Sequence, residues 1–379
     1  MHPDPVIRLL RELVAVNSVN PTLVPGAPGE REIADLIADY LRRSGLEVSV
    51  EPVVDGRPNV VGVLEAQERG PTLMLCGHTD TVGVAGMADP FVPSERDGRL
   101  YGRGAQDMKS GVAAMIAAAS EVARRGSLRA GRLIVAAVVD EEHSSIGAEA
   151  LVAKWRADAA VVTEPTDLAI AVGHKGFAWV EVTVDGRAAH GSRPAEGQDA
   201  ILRLGRVLAR LEALDRDLQS RQPHALMGTA SLHASFISGG RELSSYPDEA
   251  TLQLERRLLP DEPESTALDE LHAILATLAR EDATFRGSAR AMFSRPAYEL
   301  STEHGLPARM ASAIERAGGT VRIAGASFWT DAAILGHAGI PSILFGPGGA
   351  GLHSTEEYVN IADVLLCRDA LVELVGEWK

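Results

Sequence analysis

His78, Glu141, Glu142, Glu164 and His353 each come shortly after an apolar run of β type, and Asp107 lies in a Gly-rich loop. His78 ends Leu73-Met74-Leu75-Cys76-Gly77-His78, Glu141 and Glu142 follow residues 134–139, and Glu164 follows 159–163. His353 trails residues 342–345 through the loop 346–352, and Asp107 ends Gly102-Arg103-Gly104-Ala105-Gln106-Asp107. Imidazole nitrogen and carboxylate oxygen are donors that zinc accepts in tetrahedral sites, with one position left open when the ion is catalytic. Two histidines and three carboxylates suffice for two ions if one carboxylate bridges them. Such a pair can share a hydroxide and polarise a carbonyl. A base that touches the water rather than the ion is also required. Neighbouring Glu141 and Glu142 suit that division, because adjacent side chains at a strand terminus point different ways. Taken singly, His78-x-Asp80 or a Glu-Glu pair is more often structural than functional. Their joint placement at successive strand ends carries the argument.

In open α/β sheets the ligand crevice lies beyond the carboxyl ends of the strands, which gathers such residues however distant they are in sequence. Helical spacing is read over 5–14 and 30–43, where Ile33, Leu36, Ile37 and Leu41 share a face. Strands are read over 47–54, 59–64, 72–76 and 132–139, with an alanine-rich helix over 110–125. This alternation predicts an α/β layer with a mostly parallel sheet. The character changes near Gly176. Strand 177–184, helix 199–214, strands 231–238 and 251–258, helix 268–279 and strand 289–294 form a ferredoxin-like α+β pattern. From residue 306 the α/β character returns, with helix 306–317, strand 340–345 and helix 362–378. The expected organisation is one α/β catalytic domain, residues 1–175 and 292–379, interrupted by an inserted α+β domain, 176–291.

The 379 residues carry 52 acidic and 37 basic side chains, a formal net charge of −15, which argues against nonspecific nucleic-acid binding. Two cysteines cannot build a disulfide framework or a Cys-type zinc site, and Cys76 reads as a small buried hydrophobe. No apolar stretch is long enough to span a bilayer, and the N-terminus has no signal-peptide core. A cytoplasmic protein is expected.

These stretches resemble the zinc aminoacylase and deacylase family that includes acetylornithine deacetylase, succinyl-diaminopimelate desuccinylase and glutamate-releasing carboxypeptidases. The matching motifs are Gly77-His78-Thr79-Asp80-Thr81-Val82, Gly102 to Lys109, Asp140-Glu141-Glu142, Thr163-Glu164-Pro165-Thr166, Gly346-Pro347-Gly348, and His353-Ser354-Thr355-Glu356-Glu357-Tyr358-Val359. The resemblance implies two Zn²⁺ per chain, with Co²⁺ or Mn²⁺ as alternatives. His78 and Glu164 would hold one ion, Glu142 and His353 the other, and Asp107 would bridge them through a residue whose following peptide bond is cis. Asp80 would orient His78, a common arrangement behind a metal-bound imidazole. Glu141 would be the general base.

The insertion corresponds to that family's lid. His190, in Ala188-Ala189-His190-Gly191-Ser192-Arg193-Pro194, resembles the lid histidine that reaches a neighbouring subunit's site and stabilises the oxyanion. A homodimer through the lid is implied with it. Arg257 resembles the lid arginine that takes the substrate α-carboxylate, a task suited to its planar fork. Its neighbour Arg256 is expected to be an exposed charge on the opposite strand face. Gly346 and Gly348 are expected to line the substrate pocket through their backbone, and Thr330-Asp331 matches a motif of unassigned role. Ser244 stands where many relatives have Asn, which leaves the carboxylate contacts open. The implied activity is cleavage of the amide bond of N-acyl amino acids, of the acetylornithine deacetylase type. Desuccinylase, general aminoacylase and carboxypeptidase activities on a short peptide are the alternatives. A non-catalytic binding relative and a single-metal carboxypeptidase are more distant ones.

Overall fold

The computed structural model describes residues 2–84 and 86–379. The chain divides into two compact units: residues up to Gly173 with Leu300–Ala324 and Thr330–Lys379, and His174–Glu299 with Gly325–Trp329. Both crossings differ slightly from the 175/176 and 291/292 breaks read from sequence. The second falls later because strand Arg286–Arg295 pairs with Gly176–Asp185 from Arg286↔Asp185 to Arg295↔Phe177. Gly325–Trp329 joins the second unit through Trp329, whose Nε1 donates to the Pro296 carbonyl (3.0 Å) and whose ring meets Phe177 edge-on.

The first unit is an α/β layer. Its sheet runs in the order Glu47–Val54, Arg57–Glu65, Ala130–Val138, Glu68–His78, Ala159–Val162, Ser342–Leu344, Ile170–His174. The centre is parallel, as the buried apolar runs require, and the edges are antiparallel. Helices Pro5–Ala15, Arg31–Arg43, Ser110–Arg125 and Ile361–Gly376 bury apolar faces in this unit. Asp4 caps the first of them, accepting from the Val6 N–H at 2.9 Å, with Pro5 at the first helical position, where a missing N–H costs nothing. Cys76 is fully buried within its strand.

The second unit is a four-stranded antiparallel sheet, Ser231–Gly239, Glu249–Leu258, Gly176–Asp185, Arg286–Arg295, with helices Ala200–Ser220 and Thr266–Glu281. Ala178, Val180, Val182 and Val184 point to one face by strand alternation. There they join Leu204, Val207 and Leu211 of one helix and Leu271, Leu275 and Leu278 of the other in a single core. Strand Ser231–Gly239 lies at the sheet edge with Phe236 and Ile237 exposed. No helix among the described residues is long and apolar enough to cross a membrane.

Candidate metal centre

Parallel register gathers the site. His78 stands opposite Val138, Cys76 opposite Val162, and Leu344 opposite Val162, so these strands end together. Glu141 and Glu142, Glu164, and the loop that carries His353 all emerge beyond that edge. Asp107 arrives differently. It sits in the turn before helix Ser110–Arg125, on the crossover between neighbouring parallel strands Glu68–His78 and Ala130–Val138. That helix approaches the strand end so closely that a Cβ on Gly111 would lie 1.9 Å from the Thr163 carbonyl oxygen. The Asp107–Met108 bond is cis.

Asp107 faces both histidines. Its Oδ1 lies 3.1 Å from His78 Nε2 and its Oδ2 3.3 Å from His353 Nε2. Glu142 Oε2 is 3.1 Å from His353 Nε2, whereas Glu141 Oε2 and Glu164 Oε1 are 3.8 and 4.0 Å from His78 Nε2. Donor atoms of His78, Glu141 and Glu164, and of His78, Asp107 and Glu142, fall within 4.8 Å of one another. The His78 side chain is 1% exposed and that of His353 is 53% exposed, so solvent reaches the group from the His353 side.

The electrostatics are those of a buried acid cluster. Burial pushes Glu141 and Glu164 well above the usual carboxylate range, reinforced by each site's neighbouring acids, including Asp331. Burial likewise raises Glu142 to about 7. His78 is raised in spite of its burial, because Asp107, Asp80, Glu164 and Glu141 favour the imidazolium. Asp107 and Glu142 raise His353 to about 10. Burial disfavours the Asp107 anion, but the two imidazoles more than offset it and the carboxyl is depressed. Glu142 Oε1 and Glu164 Oε1 are buried with no hydrogen-bond partner among the described residues. Carboxylates outnumber imidazoles, and buried anions are costly unless paired or bound to a cation. The set therefore fits two divalent cations by donor type, spacing and charge.

A polar network lies behind this cluster, and most of it is not evident from the motifs. His78 Nδ1 is 3.0 Å from the Asp80 carbonyl and 3.5 Å from its carboxylate, so the main chain is the closer orienting partner. The Asp80 carboxylate accepts the N–H groups of Glu141 (3.1 Å) and Glu142 (3.2 Å). Asn20 donates from its one Nδ2 to Asp80 (2.8 Å) and to Asp140 (3.0 Å). Asp140, in a left-handed turn at φ 70°, also accepts from Arg57 (2.7 Å) and Ser144 Oγ (2.7 Å). Asp tolerates that conformation better than most residues. Arg57 is forked onto Glu30 at 2.7 and 2.6 Å. Asn20 and Arg57 were legible only as a loop polar residue and a charge beside a strand.

The Gly346 backbone is engaged by a neighbouring loop. Its N–H donates to Thr166 Oγ1 (3.1 Å) and its carbonyl accepts from the Leu168 N–H (2.9 Å), so both groups serve the loop after Glu164. Gly348 accepts from the Asn360 N–H (2.9 Å), and a Cβ there would meet Asp167 Oδ1 at 2.3 Å. Close backbone packing explains both glycines.

His190 and Arg257 belong to the second unit. His190 is exposed, with Nδ1 2.8 Å from Ser192 Oγ, and its loop is pinned by Gly191 N–H to the Ser244 carbonyl (2.7 Å) and Tyr246 N–H to the Ala189 carbonyl (2.9 Å). Thus Ser244 holds the His190 loop through its main chain. Arg257 is partly exposed, paired with Glu255 at 2.6 Å and stacked 5.6 Å over Phe177. Arg256 overturns its expectation: it is 1% exposed, clamped by Glu262 and Glu270, because its strand face packs inward beneath Thr266–Glu281.

The profile of Peptidase family M20/M25/M40 matches residues 74–377. Acetylornithine deacetylase of Proteus mirabilis (strain HI4320) is 29% identical over 382 residues, covering 97% of this chain and 95% of that protein. A tripeptidase from Staphylococcus aureus subsp. aureus mu50 has the same fold, with a TM-score of 0.82 at 22% identity over 98% of this chain and 97% of its own. A dinuclear metal binding peptidase from the M20 family of Bacillus subtilis gives 0.76 at 16% identity, over 98% and 96%.

Proposed function

The chain belongs to peptidase family M20/M25/M40 and is a metal-dependent amidohydrolase; within that class we propose a two-zinc enzyme that cleaves N-acyl amino acids, N-acetylornithine first among them. The observation that carries this reading is Asp107, which turns one carboxylate oxygen toward each histidine, at 3.1 and 3.3 Å. In this assignment His78 and Glu164 would hold one ion, Glu142 and His353 the other, and Asp107 would serve both. When bound, the pair supplies Lewis-acid polarisation of the amide carbonyl and a more acidic water.

Glu141 is the base. It takes a proton from the attacking water and delivers it to the departing amine nitrogen as the C–N bond breaks. Burial raises its pKa above the usual carboxylate range, the direction that favours holding the proton for return to the amine. Asp80 keeps Glu141 and Glu142 in place through their N–H groups. Arg257 binds the substrate carboxylate, and its pairing with Glu255 holds the guanidinium in position. His190, supplied from the neighbouring subunit of a homodimer, stabilises the oxyanion. The exposed edge strand Ser231–Gly239, with Phe236 and Ile237 uncovered, supports self-association through the second unit.

Amine release by zinc-loaded protein tests the reading on N-acetylornithine, N-succinyl-diaminopimelate, neutral N-acetyl amino acids and a glutamate-terminated peptide. Preference for N-acetylornithine is expected. Turnover of another member alone would replace the substrate, and silence across the panel with two ions bound would reject the N-acyl amino acid class.

A further inference from the structure

We infer that Glu357 is a positioning residue that locks the Asp107 turn to the His353 loop, so that both ends of the metal centre are set by one carboxylate. The inference rests on the metal reading above.

Glu357 and Asp107 are 250 residues apart in sequence, yet the structure joins them directly. Glu357 Oε1 accepts the N–H groups of Gln106 (2.8 Å) and Asp107 (3.1 Å). Its Oε2 accepts from the N–H of Gly104 (3.0 Å) and from Nη1 of Arg103 (2.7 Å). Three amides of one turn, those of Gly104, Gln106 and Asp107, and one guanidinium thus converge on a single carboxylate that is 1% exposed. Arg103, equally buried, uses its other terminal nitrogen to reach the Ser354 carbonyl (2.8 Å), next to His353. Arg103 and Glu357 therefore each touch both segments.

Ordinary strand pairing brings these segments near one another but does not fix the ligands. Tyr358↔Tyr101, Val359↔Leu100 and Asn360↔Arg99 pair antiparallel, which leaves Glu357 beside Gly102 and Arg103. Beyond that ladder the chain leaves the sheet on both sides. Asp107 adopts φ −113° and ψ 98° inside its turn, and His353 is left-handed at φ 58°. Both residues lie outside the paired ladder, and the Glu357 and Arg103 contacts tie the two loops together. One of the amides that Glu357 holds is that of Asp107 itself, the residue that faces both histidines. A shift of this turn would move both Oδ atoms at once.

The test is metal binding, read separately from catalysis. Glu357→Gln keeps the side-chain volume and one acceptor oxygen but removes the charge and turns a donor toward the turn or toward Arg103. Calorimetric titration of metal-stripped protein with Zn²⁺ should show affinity reduced by roughly 10–100-fold, the range for partners that orient metal ligands. The absorption bands of Co²⁺-loaded protein should shift or weaken as its geometry relaxes. Arg103→Lys, which keeps the cation but loses the fork, should show a smaller loss in the same direction. It also carries the test if Glu357→Gln fails to fold. Glu262→Gln, which weakens the buried Arg256 pair in the second unit, should lower the melting temperature and leave Zn²⁺ affinity and Co²⁺ spectra unchanged. Wild-type affinity and spectra in folded Glu357→Gln or Arg103→Lys would overturn the inference. Absence of Zn²⁺ binding by the unaltered protein would instead reject the metal reading on which it rests.

Discussion

Arg256 and Arg257 are consecutive, yet they show how the two faces of one strand are used. Arg256 is 1% exposed and makes four side-chain hydrogen bonds to Glu262 and Glu270, at 2.7–3.1 Å. The Arg257 side chain is 31% exposed and keeps a single carboxylate partner, Glu255. A buried guanidinium must be fully satisfied by the protein, whereas a partly open one retains capacity for a ligand. The same contrast separates the two units. In the first, the side chains around the candidate metal centre are held by bonds that leap across the chain, such as Asn20 to Asp80 and Asp140, or Glu357 to Asp107. In the second, His190 and Arg257 are placed by strand register and nearby loops. Preorganisation by burial and placement by register should fail in different ways.

Glu141→Ala gives the largest expected effect: turnover should fall by roughly 10²–10⁴-fold with metal content unchanged. Loss of zinc in this variant would make Glu141 a ligand and exchange its role with that of Glu142. Arg256→Met should cost about 3 kcal/mol of stability in urea unfolding, since it strands two carboxylates beneath a helix. Metal content should stay at the wild-type level, and a loss of metal instead would mean that stability and site are not separable between the units. Asn20→Ala removes both donors that couple Asp80 to Asp140, and turnover should drop roughly tenfold with metal still bound. Unchanged turnover would show that the two backbone N–H groups on Asp80 suffice.

The smallest effect is expected at the surface. Glu121 pairs with Arg124 and Arg125 at 2.6 Å, and these partners depress its pKa from 4.5 to about 2. The contribution of the pairing is present above pH 4.5 and is lost as the pH falls toward 2. Because the pair is solvated, Glu121→Gln should cost under about 1 kcal/mol at neutral pH. Melting curves of metal-stripped protein across that acidic range should show a shallower acid dependence in the variant. A cost as large as that of Arg256→Met would remove burial as the distinction between them.

The parts of the molecule legible in sequence are those with short-range causes. Helix Ser110–Arg125 and strand Glu47–Val54 have the limits that the sequence predicts, because apolar periodicity and local propensity decide such elements. Strand Glu68–His78 is predicted only over 72–76, since its exposed beginning, from Glu68 to Gly70, has no apolar alternation. Helix Ile146–Lys154 and strand Ile170–His174 have no clear sequence signal. The first is short, and the second is a buried apolar stretch whose strand state is set by pairing with its neighbours.

The proposed ligand set follows the same division. His78, Glu141, Glu142 and Glu164 could be proposed because each stands just after an apolar run, and parallel strands must end at a common edge. That much was decided by the order of residues along the chain. Asn20, Arg57, Arg103 and Glu357 had no such signal. A buried charge has to find opposite charge or hydrogen bonds wherever the fold supplies them, and its partner can lie anywhere in the sequence. Which arginine is buried, which glycines serve packing, and which carboxylate holds the Asp107 turn were settled only when distant segments met.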